Sequence, residues 1–524
     1  MKHFVHFHNA DNHWDNGLPI GNGCFGAMLY FEDGRLHMPM NHYEVYYNIS
    51  AAVLPADKLN AMPSAEDPGL IHRTYLSRAD ANKPKGEETF TFYGQDAAKA
   101  FDSEPYAIGE LHGSYPPTGN LVFSFAESLK DADRKLTLTL ENAEAALMLE
   151  GEEDHVEVRT IAARCDCLVS RISQSRDGLL RTLRVAIDPQ RNLELPRILW
   201  QRVDESTFAD EVCRTFEGKG KPFVFAGIVK LVGAQGTMTE DAAGMALHIT
   251  SAQKEFTVLT GIFTDFRYAA PVADGVREMT CFAGRLPEIY AEHAAYWTAF
   301  FDRSGIDLPD KFLEHIYYVN QYALDACRGR DGVMKHHACG LNGLWDVKHP
   351  SLWGSMWYWD VNIQASFAGV FSSNRLELAK VFSDGLLSYT ELAERWAHDR
   401  HNLPGCAMDY PYQSYYCVWP WCAQYLWQLY EYSLDEDYLR KEAYPLFLKL
   451  CTFAVNLFEY DEKTDTYSVY PDISPEQGPL AHNTTITVAC TKYLLQFTLE
   501  AARILGDENA LLADCRRLLA KLPP

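Results

Sequence analysis

The stretch at residues 18–29, LPIGNGCFGAML, carries the glycine pattern GxGxxG at Gly21, Gly23 and Gly26. That pattern marks a dinucleotide-binding turn only where a strand precedes it and a helix follows it. The preceding DNHWDNGLP is rich in Asp, Asn, Gly and Pro, which is typical of a loop. The following FGAMLYF and RLHMPM flank an Asp-Gly pair and predict a β-hairpin. Without a helix N-terminus there is no phosphate site, so we expect the glycines to serve a tight turn.

The next part of the chain, residues 25–272, alternates apolar and polar residues with a period of two. RKLTLTLE at 134–141 is one example, and PFVFAGIVKLVG and EFTVLTGIF are later ones. Gly, Asp and Asn turns separate these segments, and no helix-length segments alternate with them. The pattern predicts an N-terminal domain at 1–273 built as a large antiparallel β-sandwich (a supersandwich). It disfavours a parallel α/β sheet.

From about residue 275 the period becomes helical. Leu286, Tyr290, His293 and Trp297 fall on one stripe, which predicts a linker helix over 274–305. About seven amphipathic helices follow over 306–524. The predicted fold class is therefore a multidomain chain with β first and α second.

The loops between these helices are unusually long. Connections between packed helices usually run about two to eight residues, whereas 329–358, 401–419 and 461–483 are far longer. All three are rich in Trp, Tyr, Pro and Gly, and they recur after every second helix. We expect them to gather at one end of the helical array, where an aromatic rim suits a carbohydrate cleft.

Composition excludes several other classes of function. The 524 residues carry a formal net charge of −24 and no basic run, which disfavours nucleic acid as a partner. The sequence has no stretch of about 18 apolar residues, so we expect no membrane span. No secretory leader is visible, which favours a cytoplasmic location. The 13 cysteines form no zinc or disulfide pattern. We expect no metal and no organic cofactor, and the oligomeric state is left open.

Two carboxylates in the aromatic loops are candidates for chemistry. Glycoside hydrolysis needs a protonated acid and a base, and an apolar setting keeps the proton on an acid. Glu476 in YPDISPEQG is the candidate acid, although the motif alone favours a solvated loop glutamate over a catalytic one. Asp360 in WYWDVNIQ is the second candidate, with a helix N-cap as its alternative. Asn362 could hold a water through its amide, and Asp472 is a weaker loop candidate.

Other catalytic motifs are missing from the sequence. It contains no GxSxG nucleophile elbow, no HExxH metal motif and no P-loop pattern. A serine hydrolase, a zinc protease and a nucleotide hydrolase are therefore disfavoured.

Taken in order, the motifs resemble glycoside hydrolase family 95, the inverting α-L-fucosidase and α-L-galactosidase family. Trp14 followed by LPIGNGCFGAM is similar to the opening of that family, which places the glycines at the entry to its β-sandwich. Further along, NGLW at 342–345, DVNIQ at 360–364, CVWPW at 417–421 and PDISPEQG at 471–478 resemble family motifs. The resemblance covers essentially the whole chain and implies a β-sandwich, a linker and an (α/α)6 toroid.

The resemblance also implies roles for individual residues. Glu476 matches the general acid, and Asn362 matches the second of two asparagines that orient the attacking water. Asp360 stands where the first asparagine is expected, and a carboxylate there could itself take a proton. Tyr358 stands where fucosidases tend to have a histidine, so the sugar could differ.

Aromatic residues of the matching motifs are the candidates for contact with the sugar. Trp421 looks like a sugar-contacting tryptophan of the family, and the complete predicted set is Trp421, Tyr358, Trp345 and Trp359.

One departure concerns the second half of the family's toroid. The sequence reaches LLAKLPP after about seven helices, so the predicted toroid is partial. The aspartate base of the family has no counterpart here, and we expect the last helices to expose apolar stripes.

The prediction is a hydrolase that releases a terminal α-L-fucosyl or α-L-galactosyl residue from an oligosaccharide with inversion. Two alternatives stay open. One is another glycosidase, or a phosphorylase, on the same β-sandwich and α-toroid plan. The other is an inactive fragment that binds sugar.

Overall fold

A computed structural model of the protein describes most of the chain. The described residues are 4–8, 17–45, 118–186, 197–216, 219–241, 244–265, 267–328, 340–345, 359, 361–407, 415–475 and 477–524.

Fourteen strands of the described residues form one sheet in which every pairing given is antiparallel. They are β1 (Phe4–His8), β2 (Leu18–Gly21), β3 (Phe25–Glu32), β4 (Arg35–His42), β5 (Gly119–Phe125), β6 (Asp133–Thr139), β7 (Glu144–Glu150), β8 (His155–Ala163), β9 (Cys167–Gln174), β10 (Leu180–Ala186), β11 (Arg197–Arg202), β12 (Thr207–Phe216), β13 (Lys219–Asp241) and β14 (Gly244–Thr264). The main path runs β1-β6-β7-β8-β9-β14-β10-β5-β4-β3-β2, and β13, β12 and β11 branch from β14.

The two ends of this path pack face to face. Strands β2 and β3 contact β7 and β8, although they lie far apart in the order of pairing. Leu18 and Phe25 from one end share a core with Leu147 and Val158 from the other, and all four side chains are fully buried. Alternating apolar residues therefore meet between two layers, which confirms the predicted antiparallel sandwich.

The GxGxxG turn joins β2 to β3, with Gly21 paired to Gly26. The Asn22 side-chain oxygen accepts hydrogen bonds from the backbone N–H groups of Cys24 and Phe25, at 2.9 and 2.8 Å. Gly23 has a φ of 92°, which favours glycine. The expectation of a tight turn leading into a hairpin is therefore confirmed.

A second reason for glycine is the close approach of another backbone. The Gly23 N–H donates to the Ala326 carbonyl at 2.8 Å. A Cβ added to Gly21 would lie 2.4 Å from that same oxygen. The segment is thus both a turn and a docking point for the end of a helix.

Two helices follow the sandwich, where the sequence predicted one linker helix. They are α1 (Pro271–Ala283) and α2 (Leu286–Asp302). The break falls at Gly284 and Arg285, and Pro287 lies in the first turn of α2. Proline lacks an N–H and clashes with the preceding turn, so it begins a new helix here and does not continue α1. Helix α1 packs on β13 and β14, where Met279 joins a core with Phe263.

The chain divides into two compact units. The first comprises 1–47, 112–334 and 339–356, and the second comprises 48–111, 335–338 and 357–524. Helix α3 (Lys311–Cys327), predicted as the first barrel helix, groups with the sandwich. Helices α1, α2 and α3 all belong to the first unit, and the boundaries 1–273, 274–305 and 306–524 stay predictions.

The described part of the second unit is mainly helical. Its elements are α4 (Asn362–Phe367), α5 (Leu376–Ser388), α6 (Thr390–His401), α7 (Val418–Ser433), α8 (Glu436–Tyr438), α9 (Tyr444–Leu457), α10 (Thr485–Leu505) and α11 (Leu511–Lys521), with the short strands β15 (Glu459–Asp461), β16 (Thr466–Ser468), β17 (Asp472–Ser474) and β18 (Gln477–Ala481). A helical region after the sandwich was predicted, and it is confirmed.

Two helical segments of this unit are interrupted. Helices α5 and α6 meet at Tyr389, where the hydroxyls of Ser388 and Thr390 donate to the carbonyls of Gly385 and Leu387 at 2.7 Å. Such back-bonding competes with helical hydrogen bonds. The second segment passes from α8 through a wide turn, Leu439–Ala443, into α9, whose first turn contains a proline.

The last two helices do not show the bare apolar stripes that the sequence led us to expect. Leu494 and Phe497 of α10 are buried, as are Leu512 and Leu518 of α11. Among the described residues, large exposed apolar side chains lie elsewhere. No helix in the described ranges has both the length and the apolar character needed to cross a membrane.

Candidate active site

Helices α4 and α7 run side by side in the same direction. Near the start of each, the Gln364 side chain contacts the Cys422 sulfur at 3.2 Å. Phe371, four residues beyond the end of α4, lies 5.5 Å from the ring of Tyr432 near the end of α7. The N-termini of the two helices therefore point to the same end of the unit.

Helix α10 runs in that direction too. Trp419 in the first turn of α7 and Thr491 in the first half of α10 line one cavity. Deeper in both helices, Trp427 stacks on Phe497 at 5.9 Å. Three helices thus begin at one end, and each is preceded by one of the long aromatic segments. A gathering of the aromatic loops themselves stays a prediction.

Two of the predicted site residues lie in the first turns of these helices. Asn362 is the first residue of α4 and is exposed. Trp421 lies in the first turn of α7 and is half-buried. Glu476, Asp360 and Tyr358 lie outside the described residues, so their roles stay predictions.

The segment before α10 is a small hairpin with a closed neck. At its base the Asn483 side chain accepts from the Val469 N–H at 2.8 Å, and the Asn483 N–H donates to the Val469 carbonyl at 3.2 Å. The rings of Tyr470 and His482 stack at 4.3 Å. Strands β17 and β18 then pair, with Ser474 opposite Gln477. The chain positions on both sides of Glu476 are therefore held in a paired hairpin.

Asp472 fastens this hairpin to the start of α10. One carboxylate oxygen accepts from the Ile473 N–H at 2.9 Å and from the Thr487 hydroxyl at 2.9 Å. The other accepts from the N–H and the hydroxyl of Thr484, at 2.7 and 2.8 Å. Thr484 is the N-cap of α10. The side chain is fully buried, and burial raises the pKa of Asp472 to about 6, against the lowering effect of its hydrogen bonds.

From the sequence alone, Asp472 is only a weaker loop candidate. A signal was present in the pair Thr484 and Thr485 at a helix start, since hydroxyl residues there commonly form part of a cap. Nothing in the sequence showed that a residue twelve positions earlier completes that cap.

Gln364 organises the turn that leads into α4. Its side chain accepts from the Val361 N–H at 3.0 Å, donates to the Trp359 carbonyl and contacts the Cys422 sulfur at 3.2 Å. Val361 has a φ of 141°, which is unfavourable for a β-branched residue. Gln364 therefore holds a strained backbone directly beside Asn362.

The Trp359 ring lies in the hydrophobic core. It is 5% exposed and packs edge-on against Phe382 and Tyr389, with centroids at 5.4 and 6.0 Å. Its observed contacts support the fold, and a contact with sugar stays a prediction. Trp345 belongs to the first unit, where its indole N–H donates to the Ile20 carbonyl at 2.9 Å.

A small cavity lies between α7, α9 and α10. Tyr416, Trp419, Phe453 and Thr491 are among its lining residues, and its volume is about 20 Å³. The buried indole nitrogen of Trp419 has no hydrogen-bond partner among the described residues. This space suits one water molecule and is too small for a sugar ring.

A buried polar cluster lies behind the glycine turn in the first unit. The Cys24 sulfur lies 3.5 Å from the His42 Nε2, and Arg267 donates to that sulfur at 3.0 Å and to Asp166 at 2.6 Å. Arg267 also pairs with buried Glu44. Burial raises the pKa of the Cys24 thiol and lowers the pKa of His42 to about 3. Both groups are therefore neutral, which argues against a thiolate nucleophile.

Metal-binding chemistry finds no support in the described part of the chain. No group of three or more His, Cys, Asp or Glu side chains there is arranged to hold a metal ion.

The described residues form a β-sandwich followed by a helical region. The solved structure of a putative kojibiose phosphorylase from the human microbiome shares this fold. Its TM-score is 0.62 at 10% identity, over 99% of this chain and 69% of that one.

Residues 301–524 match the sequence model of the glycosyl hydrolase family 95 catalytic domain, which confirms the family resemblance. Alpha-L-fucosidase 2 of Arabidopsis thaliana is 20% identical over 600 aligned residues, which cover 99% of this chain and 67% of the plant protein. Probable alpha-fucosidase A of Aspergillus niger is 26% identical over 235 residues, 38% of this chain and 28% of the fungal protein. The chain thus spans about two thirds of one relative and matches a smaller part of the other.

Proposed function

We propose that this protein is an inverting glycoside hydrolase that removes a terminal α-L-fucosyl residue from an oligosaccharide, with α-L-galactosyl as the next candidate. The observation that carries the proposal is the match of 301–524 to family 95. The names of the two relatives support fucose as the sugar. The SPEQ motif precedes α10 in the sequence and the DVNIQ motif includes the first residues of α4, which supports the proposal.

The proposed mechanism divides the work between two loops. Glu476 protonates the departing glycosidic oxygen. Asp360 and Asn362 orient the attacking water on the other face of the sugar, and Asp360 takes its proton if no other base does. Inverting enzymes separate their acid and base by about 6.5–9.5 Å to admit this water. Trp421 and Tyr358 provide flat faces for the sugar ring.

Two substrates that differ in their leaving group distinguish the role of Glu476 from that of Asp360. A sugar hydroxyl departs poorly and needs the acid, whereas fluoride departs without a proton. General acid catalysis contributes about 10²–10⁴-fold. We therefore expect Glu476→Gln to lose activity of about that order on an α-L-fucosyl disaccharide and far less on α-L-fucosyl fluoride. Asp360→Ala should slow both substrates alike, because water attack is required in each case.

A matched control is Glu462→Gln, an exposed glutamate in the preceding hairpin turn, which should leave both rates unchanged. Equal loss on both substrates, or no loss, in Glu476→Gln would show that the SPEQ segment is structural. If Asp360→Ala is harmless while Asn362→Ala is not, Asp360 acts only as a helix cap.

A phosphorylase is the second candidate, favoured by the fold shared with the putative kojibiose phosphorylase. A phosphorylase cleaves the bond with inorganic phosphate and yields a sugar phosphate. Turnover that requires phosphate would favour this alternative, and release of free fucose in phosphate-free buffer would favour hydrolysis. Saturable binding of the disaccharide with no product in either buffer would indicate a sugar-binding protein.

A further inference from the structure

We propose that Asp472 is a positioning residue for the acid Glu476 and holds the SPEQ hairpin in register with the start of α10. This inference rests on the proposed function and goes beyond it, since it assigns a role to a residue that does not itself react.

The geometry excludes Asp472 as the reacting acid. Its carboxylate is fully buried, and its two oxygens together accept four hydrogen bonds. Each oxygen accepts two of them, which uses the lone pairs suited to an N–H or O–H donor. A group engaged in this way cannot also reach a substrate oxygen.

The partners of Asp472 lie on two different elements. Ile473 belongs to β17, whereas Thr484 and Thr487 belong to the start of α10. The carboxylate therefore joins the hairpin strand to the helix from inside the neck. Hydrogen bonds to a charged group are roughly twice as strong as neutral ones, so this is the firmest connection described between hairpin and helix.

Glu476 is only four residues beyond Asp472 along the chain. Ser474, which lies between them, pairs with Gln477, the residue that follows Glu476. A tilt of β17 relative to α10 therefore moves the chain positions on both sides of Glu476. A displacement of about 1 Å in a reacting group can cost about 10²-fold in rate.

The substitution Asp472→Asn tests this idea with little change in size. An amide has one acceptor oxygen where the carboxylate has two, and its NH₂ group would face donors. Two of the four hydrogen bonds are therefore lost. We expect about a 10²-fold loss of kcat on the α-L-fucosyl disaccharide and a loss at least tenfold smaller on α-L-fucosyl fluoride.

Two milder variants test the same loss of activity if Asp472→Asn folds poorly. Thr487→Val removes one donor at similar volume and should show a smaller loss with the same dependence on the leaving group. Thr487→Ser keeps the hydroxyl and should restore the wild-type ratio of the two rates. Asp465→Asn is the matched control, since Asp465 is an exposed carboxylate that accepts from Lys521 at 2.5 Å near the neighbouring hairpin.

The comparison with Glu476→Gln separates the two ideas. If Glu476→Gln shows the dependence on the leaving group and the folded Asp472 and Thr487 variants lose equally on both substrates, Asp472 is structural and only this inference is wrong. If Glu476→Gln itself shows no dependence, the proposed acid fails and the inference fails with it. Selective loss in Asp472→Asn or Thr487→Val, with recovery in Thr487→Ser, supports both.

Discussion

At the scale of the residue, Gly21 shows how one missing side chain shapes the first unit. A Cβ at this position would lie 2.4 Å from the Ala326 carbonyl oxygen, a backbone atom that cannot turn away. We expect Gly21→Ala to lower the free energy of unfolding by about 1–3 kcal/mol, as overpacking does. Urea unfolding followed by circular dichroism measures the change.

The control for this prediction is Gly284→Ala. Its added Cβ would meet its nearest neighbour, the Cys281 carbonyl oxygen, at an ordinary 3.5 Å, and its φ is −77°. It should change stability by less than about 0.5 kcal/mol.

Calorimetry of the wild-type protein with NAD should show no binding. Binding of NAD would restore a phosphate role for the glycines of the GxGxxG turn.

At the scale of the element, Asp210 makes the β12–β13 ladder sensitive to pH. The side chain is 1% exposed and accepts one hydrogen bond, from the Gly227 N–H at 2.9 Å. Burial raises the pKa of Asp210 from its ordinary 3.8 to about 7. Between those values the folded chain holds a proton that the unfolded chain has lost. The contribution of this group to stability is therefore lost as pH rises from about 4 to 7.

The substitution Asp210→Asn tests that sign. The neutral amide still accepts from Gly227 but carries no buried charge. Relative to the wild type, we expect nearly unchanged stability at about pH 3, a gain of about 1.5 kcal/mol at pH 5 and a gain of up to about 4 kcal/mol at pH 8. Burial lowers the pKa values of His42 and His293 to about 3 and 4, so these two groups make stability rise with pH. They are present in both proteins, so the difference in stability between Asp210→Asn and the wild type reports on Asp210. A gain of equal size at all three pH values would contradict the assignment.

At the scale of the whole molecule, the strong negative charge opposes self-association through an exposed apolar surface. The net charge of −24 keeps copies apart at low ionic strength. The first turns of α3 expose Phe312, Leu313 and Ile316, which are 70%, 53% and 38% exposed. Salt screens the charge and leaves the apolar contact intact. We therefore expect self-association to rise between about 50 mM and 500 mM NaCl, and light scattering measures it.

The double substitution Phe312→Gln with Leu313→Gln should suppress that rise without lowering the melting temperature. Both side chains are largely exposed, so little burial is lost. The control is Leu199→Gln, an exposed apolar residue on β11, 51% exposed, which should leave the salt dependence unchanged. A rise that persists in the double variant would assign self-association to another surface.

Much of the architecture followed from local pattern. Alternation with period two predicted the antiparallel sandwich, and the loop–hairpin context of GNG excluded a dinucleotide site, because these depend on neighbouring residues. The positions at which helices break were harder to predict from the sequence. The division at Gly284 and the break at Tyr389 depend on one proline and on two hydroxyls that bond back to the helix, and both are weak signals within a strong helical period.

For the site, the sequence by itself determined which motifs are present, their order and the family they resemble. It also placed a long aromatic segment before α4, α7 and α10, which are the helices that start together. Only the tertiary structure decided that Asp472 bonds to Thr484 and Thr487 at the start of α10, that Gln364 supports a strained Val361, and that the Trp359 ring is buried. The physical reason is that period and motif report neighbours along the chain. A buried carboxylate acquires its role from donors that folding brings to it from other segments.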